Sequence, residues 1–153
     1  MPTIRLETEI AAGPERCFDL ARDIDAHVRS TSNTRERAVG SRTSGLLGLG
    51  DEVTWEARHF GVTQRLTARI TRFERPRLFE DVQVRGPFAE LSHVHEFEPI
   101  PSKTLMKDTF TFRSPLGPLG ALVDMVVLTA YLRRFLERRA RELKRIAEAG
   151  PER

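Results

Sequence analysis

Between Thr3 and Ile10 apolar and polar positions alternate, with Ile4, Leu6, Thr8 and Ile10 on one side and Arg5, Glu7 and Glu9 on the other. A step of two is the period of a half-buried strand. At Gly13 the period changes: "GPERCFDLARDI" groups Cys17, Phe18 and Ala21 on one side of a helix, with Pro14 suited to its first position. A second short helix follows, capped by Asp25 and running through "AHVRST", and "TRERAVG" then reads as a short strand. From Glu52 the step of two dominates. "EVTWEARHF", "VTQRLTARITRF", "LFEDVQVR", "AELSHVHEFEP" and "TLMKDTFTFR" are five successive strands. They are joined at Phe60-Gly61, Glu74 to Arg77, Gly86 to Phe88 and Ile100 to Lys103, connections short enough to make each neighbouring pair antiparallel.

The chain closes with a long helix from about Gly117 to Ala149, stopped by Gly150-Pro151. From Tyr131 onward it is amphipathic, with Leu132, Phe135, Leu136, Leu143 and Ile146 opposite arginines. Its first half, "LGALVDMVVLTAYL", is apolar nearly all round, so it needs burial on more than one side or a partner. Leucines also stand in the glycine-rich "SRTSGLLGLGDE", at Leu46, Leu47 and Leu49. A lid over a cavity, a dimer interface or plain core would each account for both features.

This order of elements resembles the helix-grip fold of the START-like superfamily, which includes Bet v 1-type allergens, START lipid-transfer domains and polyketide cyclases. "SGLLGLGDEVTWEARHFG" and "SPLGPLGALVD" are similar to segments of its bacterial members. The resemblance implies an α+β fold in which a curved, seven-stranded antiparallel sheet wraps the last helix, with two short helices after strand one. It also implies a cavity between sheet and helix for a small hydrophobic or amphipathic ligand, such as a lipid, isoprenoid or polyketide, to which the helix contributes Leu122 and Val126.

A length of 153 residues fits one domain, residues 1–150, with a proper core. With 39% hydrophobic and 31% charged residues the chain is too apolar for disorder. A single cysteine, Cys17, excludes an intrachain disulfide and fits a reducing compartment. "MPTIRLETEI" lacks the layout of a signal peptide, and the longest apolar run, Leu119 to Leu132, is interrupted by Asp124 and too short to span a membrane. A cytoplasmic protein is expected. The net charge of +3 is local: Arg133 to Glu148 holds seven cations and three anions. Such a segment is a solvated helix face laced with Glu–Arg pairs, and no nucleic-acid-reading motif accompanies it.

Choosing each strand's apolar side as the inner one sets the candidate site. Val53, Trp55, Ala57 and His59 face inward, followed by Val62, Gln64, Leu66, Ala68 and Ile70. Phe79, Asp81 and Gln83 come next, then Leu91, His93, His95 and Phe97, then Met106, Asp108, Phe110 and Phe112. Three of the four histidines, two aspartates and two glutamines thus lie inside, which a pure packing core does not require. Counting outward from the turns sets Asp81 opposite His93, Phe79 opposite His95 and His95 opposite Asp108, at Cβ separations of about 4.5–5.5 Å.

Three uses fit such Asp–His pairs. They can be structural, each group compensating the other's burial. They can form the polar end of a ligand cavity. Or His93, His95 and Asp108 can be catalytic, the carboxylate fixing an imidazole as general base in a cyclase-, aromatase- or dehydratase-like reaction. The H-x-H spacing alone is a weak metal signal, and neither a metal nor a cofactor is expected. A homodimer through the apolar half-helix is a further class of use.

Overall fold

The computed structural model describes residues 1–31, 35–59 and 61–150, residues 123 and 124 by their backbone alone. The expected ends at Phe60 and Pro151 lie outside the described residues. Seven strands form one sheet: β1 (Thr3–Ile10), β2 (Arg37–Val39), β3 (Glu52–His59), β4 (Val62–Glu74), β5 (Leu78–Arg85), β6 (Glu90–Ile100) and β7 (Lys103–Arg113). The order across it is β1-β7-β6-β5-β4-β3-β2, antiparallel throughout. Helices α1 (Pro14–Ala21) and α2 (Ile24–Ser30) follow β1, and α3 (Gly117–Val123) and α4 (Thr129–Glu148) end the fold. This is the helix-grip arrangement, a curled half-barrel around a long C-terminal helix.

The register expected from the turns is present where it matters. Phe79 opposes His95, Asp81 opposes His93 and His95 opposes Asp108. The β5–β6 and β6–β7 ladders run without a shift, whereas β4 and β5 slip at Thr67/Ala68 and Ile70/Arg72. Slips of this kind bend a strand and help the sheet curl.

Local expectations need three corrections. The cap of α2 is Asp23, not Asp25: Asp23 is extended, and its carboxylate accepts the Asp25 N–H at 2.9 Å. The last helix is not one α-helix, because Asp124–Leu128 is a π-helical turn between α3 and α4. On an unbroken α-helix Leu122 would point within about 40° of Leu136. A π turn takes about one residue more, swinging the first half round by roughly 90°. Leu122 and Val126 are accordingly 61% and 66% exposed, and neither lines the cavity described below. In the leucine loop, Leu47 is buried in the core with Phe18, Leu46 and Leu49 are exposed, and none of the three lines the cavity described below.

Along α4 the burial divides in two. Ala140, Leu143 and Ala147 pack into a core with Ile10, Phe18, Ile70 and Phe79. Earlier in the helix, Leu136 packs with Ile4, Leu91, Phe110 and Phe112 of the sheet, and Leu132, Phe135, Leu136 and Arg139 border an open space beside that second cluster. On the outer side Arg145–Glu142 and Lys144–Glu148 are ion pairs at 3.0 and 3.3 Å, as a solvated helix face requires.

Candidate functional site

The space between α4 and the sheet is a cavity of about 350 Å³. Strand alternation supplies one wall: Trp55, Ala57 and His59 from β3, Gln64, Leu66 and Ala68 from β4, Asp81 from β5, Leu91 and His93 from β6, and Phe110 from β7. The rest of the expected inner set is elsewhere. Val53, Ile70, Phe79, Phe97, Met106 and Phe112 are packed in core, and Val62 is exposed. Gln83 spans the β5–β6 turn, donating to the Phe88 carbonyl at 2.8 Å and accepting the Phe88 N–H at 3.2 Å. His95 and Asp108 are buried behind the main cavity's wall.

The four groups of the Asp–His cluster are joined, but by crossed bonds. Nε2 of His95 is 2.9 Å from Oδ2 of Asp81, and Nε2 of His93 is 2.9 Å from Oδ1 of Asp108. That same Oδ1 lies 3.2 Å from Nδ1 of His95. Both pairs at 2.9 Å are therefore diagonal to the strand register, while His95 and Asp108 also meet straight across. The two imidazoles stack at 3.8 Å, and His95 stacks on Phe79 at 4.2 Å on its other side.

Charge follows from these contacts. Burial pushes His95 down, but its hydrogen bonds to Asp108 and Asp81 outweigh that and raise it above its ordinary value. Each ring nitrogen of His95 faces a carboxylate oxygen, which can only accept a proton from it. Burial, and next the charge of His95, lower His93 to about 4, so it is neutral. Since a carboxylate only accepts, the Nε2 of His93 carries the proton, and Nδ1 is its lone-pair nitrogen. Burial would raise Asp108 and Asp81, but the imidazole donors prevail: both carboxyls are lowered, Asp108 far below the usual range. Asp81, His93 and His95 each offer a ligand atom, all within 4.8 Å of one another.

A family model described as polyketide cyclase / dehydrase and lipid transport matches residues 1–148. The chain belongs to that family. Comparison with curated proteins finds no match. Among solved structures, the protein TTHA0849 from Thermus thermophilus is 20% identical with a TM-score of 0.80, over 99% of this chain and 100% of that one. A START superfamily protein from Mycobacterium smegmatis is 15% identical (TM-score 0.71; 96% and 97% covered). Major latex-like protein 151 from Panax ginseng is 14% identical (TM-score 0.70; 95% and 97% covered). Likeness at these identities establishes the fold. Among the described residues no helix is long and apolar enough to cross a membrane.

This member of the polyketide cyclase / dehydrase and lipid transport family also lines its cavity with residues that strand periodicity did not select. His27 from α2 bonds Glu36 at 2.6 Å and stacks on Trp55 at 3.9 Å. Nδ1 of His59 meets the Tyr131 hydroxyl at 2.6 Å. Leu132, Phe135, Leu136 and Arg139 project from α4, and the Nε of Arg139 is buried with no hydrogen-bond partner. One sign of Arg139 was available: an arginine four residues after Phe135, on the apolar side of the helix.

The pH dependence of stability follows from these shifts. An unfolded imidazole takes up a proton between pH 6.5 and 4 that folded His93 refuses, so stability falls on acidification through that window. The loss attributable to His93 is on the order of 3 kcal/mol at pH 4. Burial lowers His27 and His59 too, and they act in the same direction. Asp81 and Asp108, being lowered, stabilise above the ordinary carboxylate pKa, and that contribution fades as pH falls through their folded values. His95, being raised, stabilises below pH 6.5, and its contribution fades as pH rises through its folded value. Urea unfolding across pH 4–8 is expected to show stability declining from about pH 6.5 downward, with His93→Gln flattening that decline. An acid limb confined below about pH 4.5, or one identical in His93→Gln, would contradict the assignment.

Proposed function

We propose that the protein binds a small, mainly apolar ligand bearing oxygen functions in the cavity between its sheet and α4. The observation that carries this reading is the mixed character of the lining that sheet and helix share. Leu66, Leu91, Phe110, Phe135 and Leu136 supply apolar surface, while Asp81, His93 and Arg139 converge as polar groups on the same space. Pockets that hold small molecules combine a few hundred cubic ångströms of apolar lining with a few polar anchors. The lone pair of His93 suits a ligand hydroxyl, and Arg139 suits a carbonyl or carboxylate oxygen. The family description, covering cyclases, dehydrases and lipid transport, supports a ligand of this chemistry.

Proton-transfer catalysis is the second reading, since His93 is a neutral imidazole held in one tautomer by Asp108. A general base works best with a pKa near the working pH, and a value of about 4 leaves His93 weak at neutrality. Ligand orientation therefore ranks ahead of catalysis.

The test is displacement of an apolar fluorophore. The wild-type protein is expected to bind it with micromolar affinity, about −8 kcal/mol. Ala57→Trp and Ala68→Trp each place an indole into the cavity from a buried alanine, and each is expected to weaken binding about tenfold or more. Unchanged affinity in both folded variants would mean that the fluorophore sits elsewhere and would remove the proposal's basis.

A further inference from the structure

We propose that Asp81, His93 and His95 form a binding site for a divalent transition-metal ion, with Asp108 as the residue that orients both histidines. The H-x-H spacing is a weak signal by itself. What changes its weight is the role of Asp108. Its single oxygen Oδ1 takes Nε2 of His93 at 2.9 Å and Nδ1 of His95 at 3.2 Å. That engages one nitrogen on each ring and leaves the other for a metal: Nδ1 of His93 and Nε2 of His95. Metal-binding histidines characteristically turn their second nitrogen to a carboxylate, which fixes the ring and the tautomer. One carboxylate here does so for two rings.

Asp81 completes the donor set. Its Oδ2 is 2.9 Å from the Nε2 of His95, with a proton between them. A zinc ion bonded to both atoms at about 2.0–2.1 Å with tetrahedral angles would hold them roughly 3.3 Å apart. Replacing that proton by the ion therefore requires only a small opening. One ligand atom from each of the three residues lies within 4.8 Å of the other two, so the set must close by at most about 1.5 Å around an ion. Asp81 has the freedom to do this, since its side chain is 24% exposed where those of His93 and Asp108 are nearly closed off. An entry path exists because Asp81 and His93 both line the cavity. Two imidazoles and one carboxylate suit zinc, iron, cobalt or nickel and leave a coordination position open toward the cavity. The inference does not depend on which organic ligand the cavity holds.

The experiment uses the full chain after chelator treatment and dialysis. Zinc is titrated calorimetrically, cobalt is followed by its visible absorption, and imidazole NMR signals are recorded with and without zinc. One ion per chain is expected. The resonances of His93 and His95 should move, and those of His27 and His59 should stay. Asp81→Asn and His93→Gln, each checked for native-like folding, should weaken binding about tenfold or more. Absence of saturable binding would overturn the proposal. So would unchanged affinity in both folded variants, or zinc-induced shifts at His27 and His59 in place of His93 and His95. Should a variant fail to fold, the wild-type imidazole signals decide alone. Fluorophore binding is measured separately, so the two proposals fail or stand independently.

Discussion

Asp108→Ala is expected to destabilise the folded protein by about 3–5 kcal/mol, the range for removing one partner from a buried ion pair. The size follows from what the carboxylate holds. Asp108 is 6% exposed and accepts from two imidazoles that are themselves 5% and 2% exposed. Without it, the Nδ1–H of His95 and the Nε2–H of His93 would be left in the interior with neither water nor an acceptor. His95 would keep Asp81, but would lose the hydrogen bond and charge of Asp108 that help to raise it above its ordinary value. In a domain of this length each kcal/mol moves the melting temperature by about 2–4 °C, so a fall of roughly 10 °C is expected. Asp108→Asn retains an oxygen acceptor and should lose less. Chemical denaturation of both variants at neutral pH measures the effect. A loss below about 1 kcal/mol for Asp108→Ala would show that water or a side-chain rearrangement replaces the carboxylate, and that the cluster is not a closed network.

Phe18→Ala is expected to cost about as much, roughly 3–5 kcal/mol, through a different mechanism. Phe18 is the only aromatic residue of α1, and it is fully buried. Its ring meets Phe73, Phe79 and Phe97 edge-on at 5.3, 5.3 and 5.4 Å. One side chain thus joins the first short helix to β4, β5 and β6, at the end of the sheet where α4 is packed tightly. Removing it leaves a cavity with three aromatic walls that cannot collapse together, because each ring is carried on its own strand. Phe18→Leu fills part of that volume and should cost less than half as much. Urea unfolding followed by circular dichroism gives both values. A Phe18→Ala loss under about 1.5 kcal/mol would mean that α1 repacks, and would take the anchoring role from Phe18. Fluorophore binding should survive in the folded variant, because Phe18 does not line the cavity.

These two substitutions mark how far sequence reasoning reached. The strands, their short turns, the inner face and the ladder register around His93 and His95 were all legible. Each depends on a local rule. A step of two assigns a face, and a short hairpin brings a fixed count of residues opposite one another. Counting alone therefore set Asp108 against His95, and alternation set the cavity-lining Trp55, Ala57, Leu66, Ala68, Leu91 and His93 inside.

Tertiary structure decided everything that depends on rotamers, helix phase and contacts distant in sequence. Register places Cβ atoms but not ring nitrogens, so the crossed bonds of His93 to Asp108 and His95 to Asp81 could not be counted from turns. The π turn at Asp124–Leu128 is a change of phase inside a continuous apolar run, and hydropathy carries no mark of it. With that change of phase, Leu122 and Val126 lie away from the cavity. His27 with Glu36, and His59 with Tyr131, meet across elements that no periodic pattern links. Sequence by itself determined which face of the long strands β3 to β7 is buried, because that choice is repeated at every second residue, with Val62 at the start of β4 the exception. Only the folded chain determined where the interior is packed and where it is open, because that depends on how far α4 stands from the sheet, a distance set by the sum of many contacts at once.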